Sequence, residues 1–220
     1  MAFLLLSHFI DNLTPTYGNR DKFVADEVSD IVKGASANSS KWIFETNHLG
    51  THIDMPRHFF EDGKTLTDFP PHFWISEKVQ IIEVSCEEAK LITPTDLKET
   101  IQDNIDTLII KTNFEKFRES EKYWNDNPGL SEEFGYWIRK NRPLIKIVGF
   151  DFISLTSWKY RAEGKLAHKA FLTSHAEGNP VCIIEDMALK NCPQKIIKLI
   201  VAPVFVKNAN GAPVTVFAEV

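Results

Sequence analysis

The sequence predicts an α/β fold: a single domain over residues 1–220, with a predominantly β core and a few flanking helices. Three observations carry that expectation. Many short segments rich in β-branched and apolar residues are bounded by turn residues. Few stretches show helical periodicity, and no repeat, low-complexity tract or Pro/Gly/Ser linker divides the chain. At 220 residues one large domain is the natural size.

In chain order the expected strands are AFLLLSH, WIFETNH, VQIIEVS, TLIIKT, IKIVGFD, VCIIEDM, KLIVAPVFV and APVTVFAEV. IKIVGFD is almost wholly apolar up to Gly149, as a strand buried on both faces must be, and it ends at Asp151. Helices are expected at three places. TPTDLKETI opens with Thr93-Pro94 and carries Asp96 where a capping carboxylate belongs. GLSEEFGYWIRKN offers Ser131 as the cap, with Phe134, Trp137 and Ile138 on one face. RAEGKLAHKAFL supplies the third.

Composition narrows the function classes. A net charge of −5 with intermixed signs argues against nucleic acid as the main partner. The apolar run at the start covers only Ala2–Leu6, without a basic leader or a small-residue cleavage site, so it reads as a strand and not a signal peptide. No stretch approaches the roughly 18 apolar residues of a membrane span. Cys86, Cys182 and Cys192 form no CxxC pair, in keeping with a reducing compartment, and a cytoplasmic location is expected.

The chemistry concentrates in NHLGTHIDMPRHF, residues 47–59. His48, His52 and His58, three of the chain's seven histidines, lie here with Asp54. Gly50, the β-branched Thr51 and Ile53, and Pro56 disfavour a helix. In an extended segment His52 and Asp54 project to one face, and a bend at Gly50 would let His48 join them. Two imidazoles and a carboxylate suit Zn²⁺, Mn²⁺ or Fe²⁺ and leave positions open for water. Spacing by itself does not separate a structural ion from a catalytic one.

HLGTHIDMPRH resembles the HxGTHxDxPxH signature of the cyclase family, metal-dependent hydrolases that include bacterial kynurenine formamidase and isatin hydrolase. Every fixed position is present: His48, Gly50, Thr51, His52, Asp54, Pro56 and His58. DNLTPTYGN, NPGLSEEFGYWI, IVGFDFISL, VCIIEDMAL and GAPVTVFAEV are similar to further family segments, so the resemblance runs over nearly the whole chain. It implies a swivelling-type β/β/α, cyclase-like fold and one or two divalent ions, Zn²⁺ or Mn²⁺. It also implies that His48, His52 and Asp54 are ligands, with His168 and Glu185 completing a second position, and that His58 is the proton donor and acceptor. His175, in the polar stretch TSHAEGNP, competes with His168. AHKAFL carries the family pattern, so His168 is preferred.

Other expectations come from the same resemblance, at Tyr17 and His8, or from the residues themselves. Tyr17 matches an aromatic residue that lines the substrate pocket, and Thr51 is a candidate to hold an imidazole or the ion's water by hydrogen bond. Phe59, Phe60, Phe69, Phe73 and Trp74 suit either an apolar pocket or the core. Asp151 suits either the site or a turn, and His8 a structural role. The activity implied is hydrolysis of an amide or cyclic amide, a carbon–nitrogen bond other than a peptide bond, in a small-molecule substrate. Lactone or ester hydrolysis, dehydration, and a non-catalytic metal- or ligand-binding role are the alternatives. Family resemblance also implies a homodimer or homotetramer.

Overall fold

A computed structural model describes residues 2–220. Thirteen strands are present: β1 (Phe3–Leu5), β2 (Phe23–Ser29), β3 (Ser39–Phe44), β4 (His52–Asp54), β5 (Ile75–Ser76), β6 (Val79–Glu83), β7 (Leu91–Ile92), β8 (Thr107–Lys111), β9 (Gly129–Leu130), β10 (Ile147–Phe150), β11 (Cys182–Glu185), β12 (Lys198–Pro203) and β13 (Gly211–Glu219). Four helices accompany them: α1 (Pro94–Leu97), α2 (Lys122–Asn125), α3 (Glu132–Asn141) and α4 (Arg161–Leu172).

One mixed sheet of nine strands organises the chain, in the order β5-β12-β13-β4-β11-β10-β8-β6, with β1 also paired to β13. β6, β8, β10 and β11 run parallel, and their partners beyond β11 run antiparallel. β4 lies at the junction, hydrogen-bonded to β11 on one side and β13 on the other.

Alternation along the strands gives the sheet two apolar faces. Leu108, Ile110, Val148, Phe150 and Ile183 pack beneath the helices with Phe134, Ile138 and Phe171. Ile109, Ile147, Cys182 and Ile184 point the other way, onto Leu6, Ile53, Leu199 and Val216. Each fully buried side chain of this size contributes about 1.5–3 kcal/mol over its exposed state.

Ser131 caps α3 by accepting the amide of Phe134 at 3.1 Å. The cap region expected at Thr93-Pro94 and Asp96 is present, as a reciprocal pair of hydrogen bonds between Thr93 and Asp96, but α1 stops at Leu97 and does not continue to Ile101. Thr100 bonds its hydroxyl to the Leu97 carbonyl and replaces the next helical turn. β3 overlaps the strand expected at WIFETNH but starts earlier, at Ser39, and ends at Phe44, whereas its hairpin partner β2 lies outside the expected pattern because Asp26 and Glu27 are charged and exposed. α2 is a single turn with no periodicity to reveal it.

The polar stretch after α4 is ordered by a buried arginine. Arg139 is 1% exposed, and its guanidinium donates to the carbonyls of Ala170, Ala176, Gly178 and Asn179. Among the described residues no helix is long and apolar enough to cross a membrane.

Candidate metal centre

The register of β4 against β11 builds the site. His52 stands directly opposite Glu185, and Asp54 opposite Ile183. His52, Asp54 and Glu185 therefore share the face that α4 covers. Gly50 takes φ +61°, a turn that glycine makes without strain, and this brings His48 back over Asp54. Pro56 starts a short 3-10 turn, Pro56–His58, which carries His58 to the same place.

Asp54 is the hub. His48 Nδ1 is 2.7 Å from its Oδ1 and His168 Nε2 is 3.4 Å from its Oδ2. His52 Nε2 is 3.7 Å and His58 Nε2 4.0 Å from the same carboxylate. Glu185 lies across from it, 3.3 Å from His52 and 3.5 Å from His168. Asp54, His52, His168 and Glu185 are each at most 4% exposed.

Main-chain groups aim these side chains. His52 Nδ1 donates to the Gly50 carbonyl at 2.8 Å, and His168 Nδ1 to the Gly164 carbonyl at 2.9 Å. Both rings thus direct Nε2 at the carboxylates. Glu185 accepts the Leu155 amide at 2.7 Å and the Ser154 hydroxyl at 3.3 Å. Gly164 lets α4 sit this close, since a Cβ there would stand 2.4 Å from the Thr156 hydroxyl oxygen.

The electrostatics follow from burial against mutual attraction. Burial lowers the His52 imidazole, but the hydrogen bond and charge of Glu185, with Asp54, outweigh it and push it up to about 9. His168 rises to about 10 against the same burial, through Asp54 and Glu185. Burial would raise Asp54, yet the surrounding histidines hold it well below the usual carboxylate range. Glu185 is likewise held low, by His168 and His52. His58 moves the other way, to about 4, because burial and the neighbouring imidazoles outweigh Asp54.

Two groups of donor atoms lie within 4.8 Å of one another: His48, Asp54 and His58, and His52, Asp54 and Glu185. His48 turns Nδ1 to Asp54, and its Nε2 is buried with no hydrogen-bond partner, an orphaned polar atom on a ring of this centre. Imidazoles and carboxylates so arranged fit a divalent transition ion, with Asp54 common to both groups.

A cavity of about 300 Å³ opens over the centre, lined by Tyr17, Phe59, Ile153, Arg161 and Lys165 besides the histidines. Phe59 stacks on His168, with ring centres 4.7 Å apart. A larger cavity of about 550 Å³ lies elsewhere, against Phe44, Val204 and Val206. Arg57 and Glu61 are its ionisable groups, so volume and chemistry do not coincide in this molecule.

A family model described as putative cyclase matches residues 4–157. The chain belongs to the cyclase family. Among curated relatives, an uncharacterized protein of Haemophilus influenzae is 34% identical over 110 residues, 48% of this chain and 78% of that one. The kynurenine formamidase of Bacillus cytotoxicus is 26% identical over 167 residues, 76% of this chain and 73% of that one. Among solved structures, isatin hydrolase A from Labrenzia aggregata, bound to benzyl benzoate, superposes with a TM-score of 0.79 at 21% identity, covering 99% and 93% of the two chains. A structure described as a potential metal-dependent hydrolase with cyclase activity superposes at 0.76 and 22%, covering 99% and 96%. The cyclase-like α/β fold is therefore shared along the whole chain, including α4 and β11, which lie beyond the residues matched by the family model.

The other singled-out residues fall as follows. Tyr17 lines the cavity of this cyclase-family chain, and burial pushes its hydroxyl up to about 12. Thr51 does not reach an imidazole: its hydroxyl donates to the Asp186 carbonyl at 2.5 Å and accepts the His8 amide at 3.0 Å, tying the first segment to the end of β11. His175 is exposed and sits 3.1 Å from Asp62, outside the centre. Asp151 accepts the amides of Thr112 and Asn113 and closes a turn after β8. His8 faces Glu115 and Asp186, away from the cavity. Phe69, Phe73 and Trp74 pack on one another as core, and Phe60 lies against His175. Sequence reasoning missed Ser154, Arg161 and Lys165. The last two could have been found, since they precede His168 by seven and three residues on one helix.

Proposed function

We propose that this cyclase-family chain is a metal-dependent hydrolase that cleaves an amide or cyclic amide in a small molecule, using Zn²⁺ or Mn²⁺. The observation that carries the reading is the Asp54 hub, which gathers four imidazoles within 4.0 Å with Glu185 across from it. The names of the formamidase and isatin hydrolase relatives support the choice of an amide or cyclic amide bond. When bound, the ion supplies Lewis-acid polarisation of a carbonyl and an acidified water.

The chain's own residues supply the rest. His48, His52, His168, Asp54 and Glu185 hold the ion, and the two carboxylates balance its charge. The Gly50 and Gly164 carbonyls keep the His52 and His168 rings turned so that Nε2 faces inward. His58 is more exposed than the buried ligands and is neutral at pH 7, so its free nitrogen can take a proton and return it to the leaving nitrogen. Phe59 and Ile153 exclude water from one wall.

Metal content per chain tests this reading, on wild type, His52→Ala and Glu185→Ala, followed by a screen of formamides, cyclic amides and lactones. One or two ions in wild type, lost from His52→Ala and reduced in Glu185→Ala, with formamide or cyclic amide turnover, is the expected result. No metal after reconstitution with zinc and manganese would sink it. Trp42, Phe44, Val204, Phe205 and Val206 are exposed apolar residues, which supports the further proposal of a homo-oligomer, to be tested by sedimentation.

A further inference from the structure

Residues 151–157 form neither helix nor strand, yet every one of them is buried. A buried irregular segment must have its main-chain polar groups met from inside the protein. This one joins β10 to the turn that opens α4, and its Ser154 and Thr156 line the cavity over the metal centre. Leu155 gives its amide and Ser154 its hydroxyl to Glu185, and the Thr156 hydroxyl stands 3.2 Å from His168 Nδ1. The Thr156 amide donates to the Ser154 hydroxyl at 3.2 Å, so the three residues act as one unit.

One side chain from the NPGLS stretch holds that segment. Asn127 is fully buried, and its Nδ2 donates to the carbonyls of Pro128, Ser154 and Thr156 at 2.8, 3.2 and 3.0 Å. Its Oδ1 accepts the Trp158 amide at 3.0 Å, and its main-chain carbonyl accepts the Ser157 hydroxyl at 2.7 Å. Gly129 permits the close approach, since a Cβ there would stand 2.7 Å from both the Leu155 carbonyl oxygen and the Ser157 nitrogen. The Leu130 amide then donates to the Leu155 carbonyl at 3.1 Å. Only a carboxamide meets these partners together. Its NH₂ serves the carbonyls and its oxygen serves the amide, whereas an ionised carboxylate has no proton to give and an apolar side chain meets neither.

We propose that Asn127 is a positioning residue of the metal centre: through residues 154–156 it sets where Glu185 and His168 stand. It touches neither of them, and acts by fixing the groups that do. His48 takes its place from the turn at Gly50 instead, and so serves as an internal reference. Calling Glu185 and His168 ligands rests on the metal-dependent reading, while their positioning is a claim about the metal-free chain as well.

Wild type, Asn127→Ala, Asn127→Asp and Leu199→Ala are compared. Asn127→Asp keeps the acceptor and loses the donors. Leu199 lies on β12 in the opposite core, so its truncation lowers stability without touching the segment. Zinc affinity is read by competition with a chromophoric chelator, and the imidazole ¹⁵N resonances are followed in the metal-free protein. Both Asn127 variants are expected to bind zinc about tenfold more weakly or worse, and to shift the His168 resonances while those of His48 stay. Leu199→Ala should lower the melting temperature and leave both readouts unchanged. Should Asn127→Ala not fold, Ser157→Ala removes only the hydroxyl bond to Asn127 and should shift the same His168 resonances.

Unmoved His168 resonances with unchanged zinc affinity in the Asn127 variants would overturn the proposal and leave the metal-dependent reading standing. Equal effects in Leu199→Ala would also overturn it, because lost stability alone would then explain them. No zinc in wild type, with the His168 resonances still displaced by Asn127→Ala, would refute the metal-dependent reading and leave the positioning role intact.

Discussion

Metal uptake by this chain should expel protons far above the pH at which ordinary histidines are already neutral. In the metal-free protein His52 is pushed up to about 9 and His168 to about 10. An imidazole must be neutral to ligate, so each of these rings gives up a proton when the ion enters. From those two values, apparent affinity should rise about 700-fold between pH 7 and 8.5, whereas two histidines at about 6.5 would give less than about twofold. The assay is zinc competition with a chromophoric chelator across that range. Calorimetry at pH 7.5, in buffers of different ionisation heat, counts the protons directly, and about two are expected. A rise below tenfold, with fewer than one proton released, would show that Asp54 and Glu185 do not hold these rings charged, and the electrostatic account of the centre would fail.

The remaining predictions concern single residues. In chelator, the stability that His52 and His168 gain from their carboxylates is complete below about 6.5 and lost as pH rises through 9 and 10, so melting temperature should fall between pH 7 and 10. A flat profile would contradict it. His58→Gln should keep its metal and lose about 10²–10⁴ in turnover, and a loss of metal instead would make His58 a ligand. Gly164→Ala forces a Cβ onto the Thr156 hydroxyl, moves α4 and should cost about 1–3 kcal/mol along with zinc affinity, as read by melts and chelator competition. Arg139→Met leaves four carbonyls unpaired and should cost about 3 kcal/mol, lowering the melting temperature by about 6–12 °C. A change below 2 °C would mean that the loop after α4 does not depend on it.

What the sequence made legible was local. Extended backbone at His52–Asp54, a bend at Gly50 and a break at Pro56 all follow from residue type, and each holds in the fold. The strong apolar strands were legible for the same reason, because burial on both faces leaves a continuous signature. Long-range choices were not. Thr51 has two polar neighbours in sequence, His48 and His52, yet its hydroxyl bonds a carbonyl 135 residues away. Nothing in spacing announces that partner. The pairing of Glu185 with His52 depends on strand register, which only the assembled sheet decides. β2 escaped notice because its Asp26 and Glu27 face solvent and remove the apolar alternation on which recognition depends.

The two inward rings are each steered by a glycine carbonyl of their own segment, Gly50 for His52 and Gly164 for His168. A carbonyl needs no particular side chain, so as long as Gly50 and Gly164 stay glycine the ring orientation is less open to mutational drift than it would be with a steering aspartate. What drift can reach is the carboxylate pair and the walls above it. The centre therefore divides into an inherited frame, written in main chain, and an adjustable surface, written in side chains. Redesign for a new substrate can alter Tyr17, Arg161 and Lys165, which line the cavity without touching the His52 or His168 ring, while the frame keeps its aim.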